Sequence, residues 1–264
     1  MTGVSVKSPQ PACTQAGSTT DGPWMPLHDA GCGNPLNYHI FADDFDQAIA
    51  FTTGNTYTIT SVAGSVAQTA GDGGLALFTT GAVANTDYES LQVVTASFTV
   101  NSQPKKVFFE TRITTASAPA TTNIIAGLCD STTTPFTAIT DGVYFSWVGG
   151  TGLTINSTVG SVNTAATIPA AAYKFTTSGQ QLDLAFYVTR AGDVLAYVDS
   201  ILVGYIPQSQ IGDPTNGPLN AGAVARITAP TLTTANLTPT LAVQTTAAAA
   251  RTVTFDFLQA LKER

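Results

Sequence analysis

Residues 181–207 read QLDLAFYVTRAGDVLAYVDSILVGYIP, and this stretch decides the fold class. Apolar side chains occupy every second position from Leu182 to Val188, which is the period of a half-buried β-strand. The turn sequence RAGD follows, in which Gly192 can take a positive φ angle, and the apolar alternation then resumes. A second reversal at Asp199 leads into a third apolar segment. The stretch therefore predicts a meander of three antiparallel strands.

Short apolar segments recur between turn signals through most of the remaining sequence, as expected of a sandwich or barrel. Further strands are predicted at Phe51–Val62, Leu75–Phe78, Leu91–Val100, Val107–Ile113, Asn123–Leu128, Gly142–Val148, Leu153–Ile155 and Thr252–Leu258. Alternation predicts that Phe186, Val188, Phe255 and Phe257 point into the core. Ala247–Ala250 is expected to be a loop or strand edge, and only the terminal LQALKER suggests a helical turn. We therefore expect an all-β chain: one two-sheet antiparallel β-sandwich, a jelly roll, over residues 41–264.

The first forty residues differ from this body. They are rich in Pro, Gly, Ser and Thr and show no sustained period, which predicts an irregular N-terminal arm over residues 1–40. The arm nevertheless carries apolar and aromatic side chains that a solvated linker does not need. The candidate partner-binding residues of the arm are Trp24, Met25, Leu27, Leu36 and Tyr38. They are expected either to seat on other subunits or to fold back over the sandwich.

The charge content limits the function classes. Only 10% of the residues are charged, with 10 Lys and Arg against 17 Asp and Glu, for a net charge of -7. The basic residues are dispersed along the chain, and Lys105 and Lys106 form the only adjacent pair. Direct binding of a nucleic-acid backbone needs a clustered positive surface, so we do not expect it.

No apolar run is long enough to span a bilayer, and the N-terminal sequence lacks the apolar region of a secretion signal. We therefore expect no membrane partner and folding in the cytoplasm of the cell that makes the chain. The three cysteines, Cys13, Cys32 and Cys129, lack metal-ligand spacing. A bridge between Cys13 and Cys32 is conceivable in an oxidising setting, and unpaired thiols are the simpler alternative.

Several segments, taken in order, suggest a family. They are FADDFD, FFETRIT, GVYFSWVGGTGLTI, the 181–207 meander and the closing VTFDFLQALKER. From Phe41 to the C-terminus this series resembles the concanavalin A-like lectin/glucanase and laminin G-like superfamily, and in particular its versions in the virion proteins of tailed bacteriophages. The resemblance implies two curved antiparallel sheets packed face to face. Members bind sugars, cleave sugars or contact proteins, and the fold does not choose among these roles.

The carboxylates argue against sugar cleavage. Glycoside hydrolysis with retention needs two carboxyl groups about 5 Å apart. The three glutamates, Glu89, Glu110 and Glu263, have no carboxylate partner two or four residues away, and the glucanase pattern E-x-D-x-E is absent. Glu110 and Arg112 share a strand face and are expected to form a surface ion pair. We therefore expect no enzymatic activity and no catalytic residues.

Two other groups of residues were considered as sites. Asp43, Asp44 and Asp46 are the densest acidic cluster, but no D-x-D-x-D-G loop follows, so a turn is favoured over a calcium site. Four aromatic residues could stack on sugar rings: Trp24, Tyr144, Trp147 and Tyr205. Alternation places Trp147 with Val143 and Phe145 and so predicts that it lies in the core. No metal or cofactor is predicted.

The leading hypothesis from the sequence is a non-enzymatic structural protein of a bacteriophage virion. Its most specific form is a capsid decoration or cement protein on the head surface, with the major capsid protein or other virion subunits as partners. The expected state is a homo-oligomer, with a trimer as one alternative. The alternative is a carbohydrate-binding, lectin-like module of a phage tail or fibre, for which the partner is a glycan.

Overall fold

The computed structural model describes residues 38–46, 51, 56–70, 74–95, 97–100, 105–115, 119–173, 175, 177–208 and 232–264. Trp24, Met25, Leu27, Leu36, Cys13 and Cys32 lie outside these residues, so their predicted roles stay predictions. Tyr38 is described and opens the first strand. The predicted arm boundary at residue 40 thus falls inside that strand.

The described residues form fifteen β-strands and two single turns of 3-10 helix. The turns lie at Pro119–Thr121 and Ala170–Ala172. The strands are β1 (Tyr38–Asp43), β2 (Tyr57–Ser61), β3 (Ser65–Thr69), β4 (Leu75–Thr79), β5 (Tyr88–Val93), β6 (Val107–Thr115), β7 (Thr122–Cys129), β8 (Gly142–Val148), β9 (Gly152–Val159), β10 (Val162–Thr167), β11 (Gln181–Val188), β12 (Val194–Val198), β13 (Ile201–Ile206), β14 (Thr238–Thr245) and β15 (Thr252–Glu263).

The strands pair antiparallel in two sheets that pack face to face. The eight-stranded sheet has the order β13-β12-β11-β6-β15-β4-β3, with β1 paired to the C-terminal half of β15. The seven-stranded sheet has the order β10-β9-β8-β7-β14-β5-β2. Apolar side chains from the two inner faces form one continuous core. The predicted all-β sandwich is therefore confirmed.

The meander that decided the fold class is present as strands β11, β12 and β13. Gly192 takes a φ of +95° in the first turn, as its sequence position predicts. Asp199 and Ser200 have φ values of +49° and +66°, and two consecutive positive values are typical of a tight two-residue hairpin. The core positions Phe186 and Val188 are fully buried, which confirms the predicted face of β11.

A β-bulge changes the face of β15. Asp256 and Phe257 together oppose the single residue Arg112 of β6, so the alternation shifts by one residue. Phe255 stays in the core and Leu258 takes the next core position. The prediction that Phe257 points into the core is therefore wrong: its ring lies outside, 5.8 Å from the Arg112 guanidinium. The helical turn predicted for LQALKER is also wrong, because β15 continues to Glu263.

Two further strand predictions need correction. The strand predicted over Leu91–Val100 ends at Val93, although Phe98 keeps an isolated bridge to Leu237. The sequence analysis did not predict β14, which is central in the seven-stranded sheet and buried along its whole length. Thr238, Thr240 and Gln244 alternate with the core residues Leu241 and Val243, but Pro239 argues against a central strand.

Trp147 lies on the inner face of β8, as predicted. Its side chain is 8% exposed, and the indole Nε1 donates a hydrogen bond of 3.0 Å to the carbonyl oxygen of Pro119. Phe175 and Tyr173 meet the indole edge-on at 5.0 and 5.6 Å between ring centroids. Trp147 is therefore a structural residue rather than an exposed sugar platform.

In the part of the chain that the structure describes, no helix is long and apolar enough to cross a membrane. Nor do its His, Cys, Asp and Glu side chains form a group of three or more that could hold a metal ion.

Candidate functional site

The outward-facing residues of β7, β8, β9, β10 and β14 carry no charge. The register pairs Tyr144 with Asn156 and Ser146 with Thr154, so these four side chains share the outer surface of the seven-stranded sheet. Asn163 of β10 joins them opposite Thr158. We call this surface the polar face, and its members are Asn123, Tyr144, Ser146, Thr154, Asn156, Thr158, Asn163 and Gln244.

Hydrogen bonds across three strands hold the side chains of the polar face in place. Asn163 Nδ2 donates to Asn156 Oδ1 at 3.0 Å, and Thr158 Oγ1 donates to Asn163 Oδ1 at 3.2 Å. Asn156 Nδ2 in turn donates to Thr154 Oγ1 at 3.0 Å. The Tyr144 hydroxyl lies 3.3 Å from Thr158 Oγ1. The amides therefore have fixed orientations, which lowers the entropy lost when a polar ligand binds.

A second pair of amides extends the polar face toward β14. Asn123 Nδ2 donates a hydrogen bond of 3.0 Å to Gln244 Oε1, and Gln244 Nε2 donates to the carbonyl oxygen of Asn85 at 3.1 Å. Asn123 Oδ1 accepts a hydrogen bond of 3.1 Å from the backbone of Gly149. This amide pair also has a fixed geometry.

The loop of residues 130–141 covers the neighbouring part of the same sheet. Its Phe136 and Ile139 pack on outward-facing apolar residues of β7 and β14. Two polar contacts tie the loop to β5: the Tyr88 hydroxyl donates to the Thr133 carbonyl oxygen at 2.6 Å, and Gln92 Nε2 donates to the Asp130 carbonyl oxygen at 3.2 Å. On β8, β9 and β10, Asn163 is exposed and Tyr144, Ser146 and Thr154 are partly exposed, whereas Asn156 and Thr158 are buried at 4% and 2% exposure.

Tyr144 is the aromatic residue of the polar face. It is half-buried beside the 130–141 loop, and burial raises the pKa of its hydroxyl. Directly opposite, Gly127 of β7 lies so close that a Cβ atom there would overlap the backbone of Tyr144. Only glycine therefore fits at position 127, and the Tyr144 ring packs against the apolar cluster that includes Ile125 and Phe136.

The sequence indicates this site only in part. Of its four aromatic candidates, Tyr144 lies on the polar face, Trp147 in the core and Tyr205 on β13 of the other sheet, while Trp24 is outside the described residues. It missed the amides and hydroxyls of β9 and β10. The alternating Thr154, Asn156 and Thr158 were a detectable signal, because residues two apart share a strand face.

The outer face of the eight-stranded sheet carries the charged cluster instead. Arg112 contacts two carboxylates, with Nε 2.6 Å from Asp183 Oδ1 and Nη1 3.0 Å from Asp256 Oδ2. The predicted ion pair between Arg112 and Glu110 is therefore wrong, because the neighbouring strands supply nearer partners. Burial, followed by the nearby charge of Asp183, raises the pKa of Glu110 to about 7.

Glu89 and Glu263 lie in different environments. Glu89 is fully buried between the sheets, and burial raises its pKa to about 7. The Ser61 hydroxyl and the Val62 amide lower this pKa only in part, because they also donate to the Gly64 and Tyr88 carbonyl oxygens. Glu263 pairs with Arg190, and this hydrogen-bonded contact lowers the pKa of the carboxyl group.

The acidic cluster after β1 forms a turn. The backbone amide of Phe45 donates to Asp43 Oδ1 at 2.7 Å, and the Tyr57 hydroxyl donates to Asp43 Oδ2. Phe45 has a φ of +57°, and its buried ring meets Phe51 at 5.6 Å. Asp43 therefore caps a turn, which is the role that the sequence favoured.

Comparisons with known proteins identify the fold only. No protein-family model and no curated protein matches this chain. Among solved structures, "Cellulose induced protein, Cip1" has a TM-score of 0.53 at 12% identity, covering 83% of this chain and 96% of that one. The CBM2 module of the evolved Dit protein of Lactobacillus casei BL23 phage J-1 has a TM-score of 0.50 at 9% identity, with 85% and 96% covered. A native glycosidic hydrolase has a TM-score of 0.51 at 9% identity, with 85% and 95% covered.

These similarities concern the fold. The chain is an antiparallel two-sheet sandwich that fits the jelly-roll lectin/glucanase-like fold. Identities this low show the fold and do not by themselves assign a ligand or an activity.

Proposed function

We propose that this protein is a non-enzymatic carbohydrate-binding sandwich that binds an uncharged glycan on the polar face. The observation that carries the proposal is the network of oriented amides and hydroxyls across β8, β9 and β10, with Tyr144 beside it and no charged side chain among the outward-facing residues. Sugar hydroxyls both donate and accept hydrogen bonds, and the accessible Asn163 and Thr154 side chains, held in place by the buried Asn156 and Thr158, offer both functions. The aromatic ring of Tyr144 supplies an apolar surface beside these polar groups.

The same features favour a neutral ligand. An anionic glycan needs Lys or Arg partners, and the polar face has none among the described residues. The three solved structures whose names refer to cellulose induction, a CBM2 module and a glycosidic hydrolase support a sugar-related role, since this chain shares their fold. We therefore propose a neutral polysaccharide as the ligand class, bound without a metal ion.

The proposal of binding without catalysis rests on the carboxylates. Hydrolysis requires an acid and a nucleophile or base flanking the scissile bond. Among the described residues, Glu110 lies on the outer face of the other sheet, Glu89 lies inside the core and Glu263 is paired with Arg190. No carboxylate lies among the outward-facing residues of β7 to β10.

The proposed site predicts that Tyr144→Ala weakens glycan binding by about tenfold or more, which corresponds to about 1.4 kcal/mol of lost contact. Binding is measured on an array of neutral and anionic polysaccharides, and then by calorimetry on the best neutral ligand. Tyr205→Ala is the matched control, because Tyr205 is 52% exposed on the other sheet. Equal losses in the two variants, or preferential binding of anionic glycans, would contradict the proposed site.

The absence of catalysis is tested separately. We expect no release of reducing sugar from any polysaccharide that the protein binds, at any pH between about 4 and 8, the range over which carboxylate pairs normally work. Glu110→Gln is the informative variant, because Glu110 is the partly buried carboxyl group with a pKa near neutrality on an outer face. Turnover that disappears in this variant would overturn the non-enzymatic proposal.

A second candidate function is the role predicted from the sequence, a bacteriophage capsid decoration protein on the virion surface. The observation in its favour is the apolar edge strand β13, where Ile201, Leu202 and Tyr205 are 65%, 50% and 52% exposed. Exposed apolar groups of this kind mark protein contact surfaces. The sequence resemblance to virion proteins supports the setting, and the partners proposed are the major capsid protein or other virion subunits.

The two candidate functions predict different behaviour on intact phage particles. A decoration protein remains on purified heads and raises their melting temperature, and Leu202→Lys on β13 reduces its occupancy. A glycan-binding tail module is absent from purified heads. Its occupancy on intact particles does not change in Leu202→Lys. Loss of particle binding in Tyr144→Ala alone would exclude the decoration role of β13.

A further inference from the structure

The outer face of the eight-stranded sheet carries a second apolar cluster, separate from the core between the sheets. All of its described members belong to strands of this one sheet, and they are Tyr38, Phe108, Ala185, Tyr187, Leu195, Tyr197 and Leu261. We call this set the outer cluster. The strand register aligns Leu261, Phe108, Tyr187 and Leu195 in one row across β15, β6, β11 and β12. This row points away from the core, because alternate residues such as Phe109 face the other sheet.

The outer cluster is more deeply buried than an open sheet face allows. Tyr187 and Tyr205 lie on either side of Leu195 on the same face, yet Tyr187 is 4% exposed and Tyr205 is 52% exposed. Phe108 is 0% exposed, and burial also raises the pKa of Glu110 on this face. Neighbours within a sheet close the flanks of a side chain and leave its top to solvent. Another part of the chain therefore covers the outer cluster.

The exposure values also define the limits of this cover. On β13, Leu202 and Tyr205 are 50% and 52% exposed, so the cover ends between β12 and β13. At the other side it includes Tyr38, which is 4% exposed, but it leaves Ile40 at 45%. From Tyr38 to β12 there are four strand spacings of about 4.8 Å, or about 19 Å in all. About six extended residues bridge this distance.

We propose that residues 1–37 pack across the outer cluster of their own chain. These residues lead directly into Tyr38, which is itself a member of the cluster, and they are several times longer than the distance requires. They also supply apolar side chains suited to an apolar surface, namely Trp24, Met25, Leu27 and Leu36. The proposal selects the second of the two roles that the sequence leaves open for the arm, folding back over the sandwich.

The exposure of β13 favours residues 1–37 over residues 209–231 as the cover. Residues 209–231 follow shortly after β13, which ends at Ile206. A segment that reached the outer cluster from that side would meet the outward-facing Leu202 and Tyr205 first, and both are half exposed. Residues 1–37 reach the face from Tyr38, at the side where the burial begins.

The fluorescence of Trp24 tests the position of the arm in the full chain. The chain has two tryptophans, so the Trp24 emission is the difference between each protein and the same protein carrying Trp24→Phe. We expect this emission to be blue-shifted from that of the unfolded chain, protected from acrylamide, and independent of protein concentration. Ala185→Arg places a long charged side chain beneath the arm and should shift the emission to that of the unfolded chain.

The matched control for Ala185→Arg is Leu202→Arg, which makes the same kind of change on the same face but outside the cover. It should leave the Trp24 emission unchanged. An unfolded-like Trp24 emission in the unsubstituted protein, or an equal response to the two substitutions, would overturn the proposal. Protection that increases with protein concentration would also overturn it, because that result places the arm on a neighbouring chain.

Photo-crosslinking identifies the covering segment without displacing it. Leu195→benzoylphenylalanine places a photoreactive ring at the partly buried border of the outer cluster. After irradiation of the full chain, mass spectrometry of the monomeric product should find the link to a peptide from residues 1–37. Tyr205→benzoylphenylalanine is the control and should link to these residues in much lower yield. Links from position 195 to residues 209–231, or to a second chain, would contradict docking of the arm on its own sheet.

Discussion

Phe255→Ala should lower the free energy of unfolding by about 3 to 5 kcal/mol, the usual cost of removing a fully buried phenylalanine ring. Phe255 is 0% exposed on the inner face of β15, and its ring lies 4.9 Å from that of Phe78 in a T-shaped contact. Truncation leaves a cavity in the core beside Phe78. The loss is measured by chemical denaturation, in which the slope of unfolding free energy against denaturant concentration should be the same for both proteins.

The β-bulge provides a matched control two residues away. Phe257 has the same side chain in the same strand, but it faces outward beside Arg112. Phe257→Ala should cost about 1 kcal/mol or less, the size of an exposed cation–π contact. Equal losses at 255 and 257 would contradict the bulge and restore the regular alternation expected from the sequence.

Glu89→Gln should stabilise the protein at about pH 8 and leave its stability almost unchanged at about pH 4. The carboxyl group has a pKa of about 7 in the folded chain and 4.5 as the ordinary value, because burial disfavours its charged form. Below pH 4.5 the carboxyl group is protonated in both the folded and the unfolded chain, so its burial costs no charge desolvation. As the pH rises above 4.5 the unfolded state loses its proton first, so stability falls until the pH passes the folded value near 7.

The size of the Glu89 effect follows from the two pKa values. A separation of about 2.5 pH units corresponds to about 3 kcal/mol, all of it present above pH 7. Denaturation at both pH values measures it, and Glu110→Gln serves as the comparison, because that group has a similar pKa on an outer face. A constant difference between wild type and Glu89→Gln across this range would show that Glu89 is charged throughout in the folded protein.

Features determined by neighbouring residues were predictable from the sequence. The meander from β11 to β13 follows from alternation and from turn residues such as Gly192, and both signals lie within a few residues of each other. The burial of Trp147 follows from its alternation with Val143 and Phe145 on one face of the strand. No distant contact is needed for these conclusions.

Features determined by distant strands were not predictable. β14 is buried because β5, β7 and the 130–141 loop surround it, and nothing within its own eight residues indicates that. Arg112 has both Asp183 and Asp256 as partners through strand pairings 71 and 144 residues away in the sequence. The polar face likewise depends on the register of β8, β9 and β10, which aligns amides that are separate in the sequence.

The position of β15 has a consequence for the order of folding. It is the last described strand, yet it pairs with β1, β4 and β6 and so lies inside the eight-stranded sheet. During synthesis these three strands emerge long before the strand that joins them, and until then their edges are open to pairing with other chains. Contacts of such high sequence separation fold slowly. The seven-stranded sheet and the β11–β13 meander can form earlier, so a ribosome-bound chain that stops before Thr252 should contain these parts and lack the closed sandwich.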